Sequence, residues 1–504
     1  MDQTERFALA VAVTAVAVLV AVASNRLSRW LRVPAPVLFL VGAAIVSNID
    51  PELERLSHQL IERIVTIALV VILFEGGMGI GLRRLKTSIR PVLAIGLIGT
   101  FVTAGALAWV AHVLFGFDWR TALLLGTALA PTDPAVIFSV LGNQEVKGRA
   151  GTILEGESGA NDPVGIALLA SLIALAPGSS AGSAFGSVAS AFALQMGVGL
   201  AIGVAGGFAL SWGMRHISLP SAALHPVRDL TFAFLLYGAA TIAHGSGFLA
   251  VFVAGILIGD PPAPYKGEVK RFISALASLA EVVAFAALGL IVDLGELLQH
   301  RAWLIGIVMA IVLAVVVRPL AVGPLLLATK MSGGERIFIL WAGLKGAVPV
   351  LLGVLVLSAG VPDPTLVFAV VFVVVVISVT VQGSTVPLVA RWCGVPMEAN
   401  EDRAWSSTVR FRERPTGVRQ YRVGGESAIV GGAVGDLDLG PDNWVSLVIR
   451  DGRPVPGRRE TILCVGDEVV VLSDPDEPAD LSRLFGEPGP DPIDEPESAG
   501  AASS

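Results

Sequence analysis

Residues 130–134 read Ala130-Pro131-Thr132-Asp133-Pro134, and they fall inside an apolar run that extends from 121 to 141. Two prolines three positions apart cannot sit in an unbroken helix, because each removes a backbone donor and crowds the preceding turn. A carboxylate and a hydroxyl at the same point make the break polar. Within a bilayer such a break persists only where it is buried in protein or lines a water-filled cavity. Asp133 then balances the positive N-terminal end of a helix at the break. A plain proline kink is the alternative.

Outward from this break the chain is mostly apolar. Of its 504 residues 54% are hydrophobic and only 15% charged, with a mean hydropathy of +0.74. Soluble domains carry roughly 25% charged residues. The deficit is confined to 1–392, whereas 400–504 are ordinarily polar. About 20 apolar residues span the ~30 Å hydrocarbon layer. By that ruler thirteen candidate spans lie near 7–24, 33–49, 60–80, 91–115, 121–141, 152–176, 187–212, 229–244, 247–259, 273–292, 302–328, 337–358 and 365–390. Only Gly245-Ser246-Gly247 marks the division near 229–259.

The first span has a signal-peptide look at Ala21-Val22-Ala23. It is preceded by Asp2, Glu5 and Arg6 instead of a basic region, and followed by Arg26, Arg29 and Arg32. This predicts a retained span with its N-terminus outside. Threading the other spans from there puts sixteen Lys and Arg on inner loops. Five lie outside: Arg6, Arg55, Arg63, Arg120 and Arg301. The bias obeys the positive-inside rule and places the C-terminal region in the cytoplasm.

Several function classes drop out. A formal net charge of −7, partly from the acidic tail, gives no reason to expect a nucleic-acid partner. Two cysteines, Cys393 and Cys464, and six histidines show no metal-ligand spacing.

Charges inside spans are the chemistry-bearing residues, since each costs about 2.5–3.5 kcal/mol at a helix centre on insertion scales. The candidates are Glu75, Asp133, Glu157, Asp162, Arg318 and Lys345. The sixth span opens with Gly156-Glu157-Ser158-Gly159-Ala160-Asn161-Asp162-Pro163. On a helix Ser158 and Asp162 share a face. A carboxylate beside a hydroxyl suits a small monovalent cation or a proton, and competition between the two is the minimal device for exchange. The alternative is an Asp that caps a helix before Pro163. Glu75, before Gly76-Gly77, is either a third oxygen ligand or an interfacial charge. Arg318-Pro319 and Gly343-Leu344-Lys345-Gly346-Ala347-Val348-Pro349 supply cations, with snorkelling to the interface as the alternative role. The second of these segments mirrors the Asp133 break in the other half of the chain, as in inverted-repeat transporters. Lys345 then offsets negative helix C-termini at that crossing.

These motifs in this order resemble the monovalent cation/proton antiporter family of bacterial Na+/H+ and K+/H+ exchangers, and within it the potassium/proton branch associated with cell-volume regulation. The resemblance covers 1–392 and includes Phe74-Glu75-Gly76-Gly77-Met78. It implies an all-α polytopic membrane protein of about 13 helices, with two inverted repeats, a homodimer and an elevator-like movement. By motif, Asp162 binds cation or proton, and Ser158, Glu75 and the Thr132 backbone complete the shell. Asn161 is expected to contact Arg318, and Glu157 to pair with Lys345, where the family commonly has Arg. The Asn161-Asp162 pair implies electroneutral, one-for-one exchange, with no cofactor.

Beyond a linker at 393–417, residues 418–486 form a small α+β module with strands expected at 420–423, 427–430, 445–449 and 468–472. It resembles the C-lobe of an RCK (TrkA-C) domain, which implies a small-molecule regulator or a dimer contact and favours potassium. Residues 487–504 read as a disordered acidic tail.

A potassium channel gated by the C-terminal module is the main competing reading, but no T-V-G-Y-G filter is present. An intramembrane hydrolase fares worse. Residues 156–160 miss the G-x-S-x-G elbow at Ala160, and no histidine is placed as base.

Overall fold

The computed structural model describes residues 35–49, 57–141, 144–146, 148–175, 181–217, 219–261, 263–299, 301–359, 361, 363–399 and, in the C-terminal part, 418–425, 427, 429–437, 439, 444–450, 453–472 and 485. The expected first span, the 1–34 segment around it and the 487–504 tail lie outside the described residues. The chain divides into two compact units, Met1–Asp402 and Arg403–Ser504.

The first unit is helical. Its elements are α1 (Ala35–Ile49), α2 (His58–Leu93), α3 (Thr100–Phe115), α4 (Trp119–Ala128), α5 (Pro134–Leu141), α6 (Gly148–Ile173), α7 (Ala181–His216), α8 (Leu224–Ile242) and α9 (Gly247–Gly259). There follow α10 (Lys266–Gly289), α11 (Leu294–Gln299), α12 (Ala302–Val312), α13 (Arg318–Leu327), α14 (Gly333–Trp341), α15 (Ala347–Ser358), α16 (Pro364–Ile377) and α17 (Ser384–Trp392). Among the described residues five helical stretches are long and apolar enough to cross a membrane: His58–Phe115, Ser183–His216, Lys266–Gly289, Ala302–Leu327 and Pro364–Trp392. Shorter apolar helices are α1, α9 and α15. The doubtful pair near 229–259 is two helices, α8 and α9, with Ser246 capping the second through Leu249 N–H.

Helix α2 shows how sequence ends a span. Gly81 takes φ +64, a left-handed conformation that costs glycine little, and the helix bends there. The Asp260 carboxylate lies against Gly81 and accepts from Arg83 N–H at 2.5 Å. The basic stretch beyond, with Arg83, Arg84, Lys86 and Arg90, thereby turns away from the apolar span before it.

Both interrupted segments exist. Helices α4 and α5 are separated by non-helical residues around Ala130–Asp133, and α14 and α15 by residues around Gly343–Gly346. Among the described residues three π-helical turns, at Ala94–Gly99, Leu313–Val317 and Ser378–Gly383, interrupt the long helices. Such turns are rare and concentrate at functional positions.

Two expectations need correction. The 393–417 linker is not wholly linker: β2 (Met397–Ala399) pairs antiparallel with β1 (Gln144–Val146), Glu145 opposite Glu398. A three-residue strand is too short to leave an alternation pattern. In the second unit the sheet is β3 (Val418–Arg422), β6 (Glu468–Leu472), β4 (Trp444–Arg450) and β5 (Arg453–Pro456), in the order β3-β6-β4-β5, all antiparallel. Of the expected strand at 427–430, Ile429 and Val430 lie in a turn, with Val430 N–H donating to Ser427 O at 3.2 Å. Strand β5 went unread because Pro454 and Pro456 argue against a strand. As the outermost strand it pairs on one side only, which is where proline is tolerated.

Candidate functional site

The two breaks cross and are stitched reciprocally. Lys345 Nζ donates to the carbonyls of Ala130 and Pro131 at 2.8 and 2.9 Å. In return Asp133 N–H donates to Leu344 O at 2.8 Å. Lys345 therefore serves carbonyls that the interrupted α4 leaves without helical partners, as expected of a cation at helix C-termini. The Asp133 carboxylate lies against Gly346, the residue before α15, and itself precedes α5. A side chain at Gly346 would occupy the carboxylate's place. Lys345 is 1% exposed and Arg318 4%, so neither snorkels to an interface.

Helix α6 supplies the other half of the site. It runs from Gly148 to Ile173 through Pro163, so the Glu157–Asp162 motif lies in mid-helix rather than at an opening turn. Asp162 is thus no cap. Ser158 and Asp162 share a face as expected, and both are buried. Ser158 Oγ donates to Thr132 O at 2.6 Å. Thr132 N–H donates to Asn161 Oδ1 at 3.3 Å, while Asn161 Nδ2 donates to Thr132 Oγ1 at 2.8 Å. Thr132 Oγ1 in turn reaches Glu157 Oε1 at 3.5 Å. Asp162 Oδ1 is enclosed and accepts no hydrogen bond. Its charged neighbours are Asp133 and Lys345.

The expected ion pairs exchange partners. Glu157 is held by Arg318, not by Lys345: NH1 donates to Oε1 at 2.8 Å and NH2 to Oε2 at 3.1 Å. Arg318 also donates to Leu340 O and Ile339 O at the end of α14. Asn161 turns to Thr132 rather than to Arg318. The reason is geometric. Arg318 follows a π-helical turn and reaches past Gly343, whose missing Cβ leaves the room its guanidinium fills. Lys345 is already committed to the α4 carbonyls.

Glu75 goes elsewhere: its Oε1 accepts from Ser274 Oγ of α10 at 3.0 Å. A second network was not foreseen. Lys345 N–H donates to Ser378 Oγ at 3.1 Å, and Ser378 Oγ to Gln382 Oε1 at 2.8 Å. Gln382 Nε2 reaches Trp341 O at 3.3 Å. Ser378 and Gln382 belong to a π-helical turn, so an apolar span with two polar residues four apart was the available signal. Glu281 in α10 was also missed, having no proline or glycine motif beside it. Among the described residues no group of three His, Cys, Asp or Glu could hold a resident metal.

The chain that carries these crossed, interrupted helices is matched over residues 14–392 by a family model described as "Sodium/hydrogen exchanger, transmembrane". The chain belongs to that family. Sodium/hydrogen exchangers are transporters and not a family of catalytic enzymes, and membership lends no support to the channel reading. The chain is 31% identical over 500 residues to the K(+)/H(+) antiporter NhaP of Alkalimonas amylolytica, covering 95% of this chain and 84% of that protein. It is 28% identical over 414 residues to the Na(+)/H(+) antiporter NhaP of Pseudomonas aeruginosa, covering 74% and 95%. The fold is similar to that of the sodium proton antiporter MjNhaP1 from Methanocaldococcus jannaschii at pH 8. That likeness has a TM-score of 0.64 at 22% identity, covering 75% of this chain and 99% of that one. Membership in this exchanger family makes the protein a multi-pass membrane protein.

Proposed function

We propose that the protein is a secondary active antiporter exchanging K+, or Na+, for H+ across the cell's inner membrane, one cation for each proton. Asp162 alternates between cation and proton, with Ser158 and the Thr132 backbone as further oxygen ligands. The observation that carries this reading is the enclosed, unpartnered Asp162 Oδ1 one helical turn from the Ser158–Thr132 hydrogen bond. A buried carboxylate oxygen with no donor needs a compensating positive charge, and cation and proton are the two that exchange requires. The neutral Glu157–Arg318 pair supports one-for-one stoichiometry, since it cancels its own charge and leaves Asp162 to take one positive charge in place of another.

Potassium is favoured over sodium. A relative named a K(+)/H(+) antiporter matches 95% of this chain, whereas the Na(+)/H(+) relative matches 74%. The C-terminal unit, read as a cytoplasmic regulatory module, is part of what the longer match includes. A homodimer with its N-terminus outside, moving its ion site by an elevator-like displacement, completes the reading.

Reconstitution in liposomes with a trapped pH dye tests it. Added K+ should drive a pH change that Asp162→Asn abolishes. Folded wild-type protein that produces no pH change with K+ or Na+ would refute the proposal.

A further inference from the structure

Glu281 has no part in the site above, yet its Oε1 is enclosed and without a hydrogen-bond partner. It lies in α10, where, beyond the charged first turns with Lys266, Glu268 and Lys270, Arg271, Ser274, Ser278 and Glu281 recur at i, i+3, i+7 and i+10. That spacing is one helix face. Ser274 on this face donates to Glu75, and Glu281 stands two turns further along, about 10 Å. Its charged neighbours are Glu75 and Asp133, and Asp133 is also the charged neighbour of Asp162. A polar stripe thus runs from the basic end of α10 past Ser274 to Glu281. Of the helices packed on α10, α1 and α15 carry no ionisable residue, and α2 carries Glu75, which Ser274 contacts, with Glu62 and Arg63 towards one end and Arg83, Arg84, Lys86 and Arg90 towards the other. Helix α8 carries His225, Arg228, Asp229 and Tyr237, and its Arg228 and Asp229 pair with each other at 2.7 Å.

We propose that Glu281 is a second proton-binding carboxylate, standing on a polar access route along α10 to Asp133 and Asp162. The proton is held on Oε1 and is exchanged with water in the route. A single enclosed oxygen with no converging ligands suits a proton, whereas a K+ or Na+ ion needs several oxygens around it. This inference rests on the antiport reading for its purpose, because a proton bound there serves exchange at Asp162.

Two measurements on the full chain in lipid test it. In pH-difference infrared spectra, the protonated-carboxyl band of Asp162→Asn should shrink in the double variant Asp162→Asn/Glu281→Gln. This readout needs no transport, so failure of exchange in the wild type would count against the antiport reading while the spectra still decide Glu281. In liposomes, Glu281→Gln should move the midpoint of the exchange pH profile by about half a unit or more, and Glu281→Asp should restore it. A purely structural carboxylate would lower the rate and leave the midpoint in place. An unchanged band or an unchanged midpoint overturns the proposal.

Discussion

Arg318 grips Glu157 with both terminal nitrogens, at 2.8 and 3.1 Å, from a position 161 residues further along the chain. Both side chains are almost wholly buried. A buried pair is not in itself a large source of stability, because desolvation offsets much of the attraction. Its worth here is positional. The same guanidinium holds the end of α14 through Leu340 O and Ile339 O, so it ties α6 to the second interrupted segment.

Replacing Arg318 by Lys should therefore not be conservative. A single ammonium cannot make two parallel bonds to a carboxylate and also reach two carbonyls. Arg318→Ala, which leaves Glu157 buried and unpaired, is expected to destabilise the protein by about 3–5 kcal/mol, and Arg318→Lys by less. Thermal unfolding in detergent checks the order.

Ser158→Ala should leave a working but weaker exchanger. It removes a hydroxyl whose donation to Thr132 O is one ordinary hydrogen bond, worth about 1 kcal/mol, and one cation ligand of the proposed shell. The expected result is a rise of roughly tenfold in the cation concentration giving half-maximal exchange, with the maximal rate kept. Liposome dye measurements over a cation series read both numbers.

Gly346→Ala should damage the site without touching a charge. The added Cβ would fall where the Asp133 carboxylate lies, so Asp133 or the α15 N-terminus must shift. Exchange is expected to fall at least tenfold, a barrier change of about 1.4 kcal/mol, while Gly333→Ala in open space has no such effect. Initial rates of cation-driven dye response compare the two.

The C-terminal unit should loosen in acid. Burial by itself would raise the Asp467 carboxyl. The two Arg450 hydrogen bonds, the Cys464 N–H and the Arg450 charge outweigh it and hold Asp467 below the usual carboxylate range. A depressed folded value contributes stability above the unfolded pKa of about 3.9, lost as pH falls through the folded value. Hydrogen exchange of β4 and β6 in the full chain, corrected for intrinsic rate, should lose protection below about pH 4. In Asp467→Asn that acid step should be absent.

The breaks were legible because proline and charge inside an apolar run have few structural solutions. Pro131, Pro134 and Asp133 announce one, and Gly343 to Pro349 the other. The shared face of Ser158 and Asp162 followed from helical spacing alone. The pairings did not. Which of two cations meets which acid depends on how α6, α13 and the breaks cross, and no local spacing encodes a contact between residues 161 apart. Family likeness misassigned Glu157 for the same reason. Glu281 has no proline or glycine beside it, and its signal is instead a polar stripe with the period of a helix. Strand β5 was hidden by prolines that an outer strand tolerates.

The distance in sequence between Glu157 and Arg318 has a consequence for synthesis. Helices enter the membrane roughly in order, so Asp133, Glu157 and Asp162 are delivered to the bilayer long before Arg318 and Lys345 are made. Glu157 alone costs about 2.5–3.5 kcal/mol on insertion scales until its partner Arg318 arrives. The carbonyls of Ala130 and Pro131 wait still longer, since their donor comes 215 and 214 residues later. The nascent chain must pass through a half-built state in which Glu157 is in the membrane without Arg318. A chain truncated before residue 318 therefore leaves that debt unsettled, and it should be an early target for membrane quality-control proteolysis.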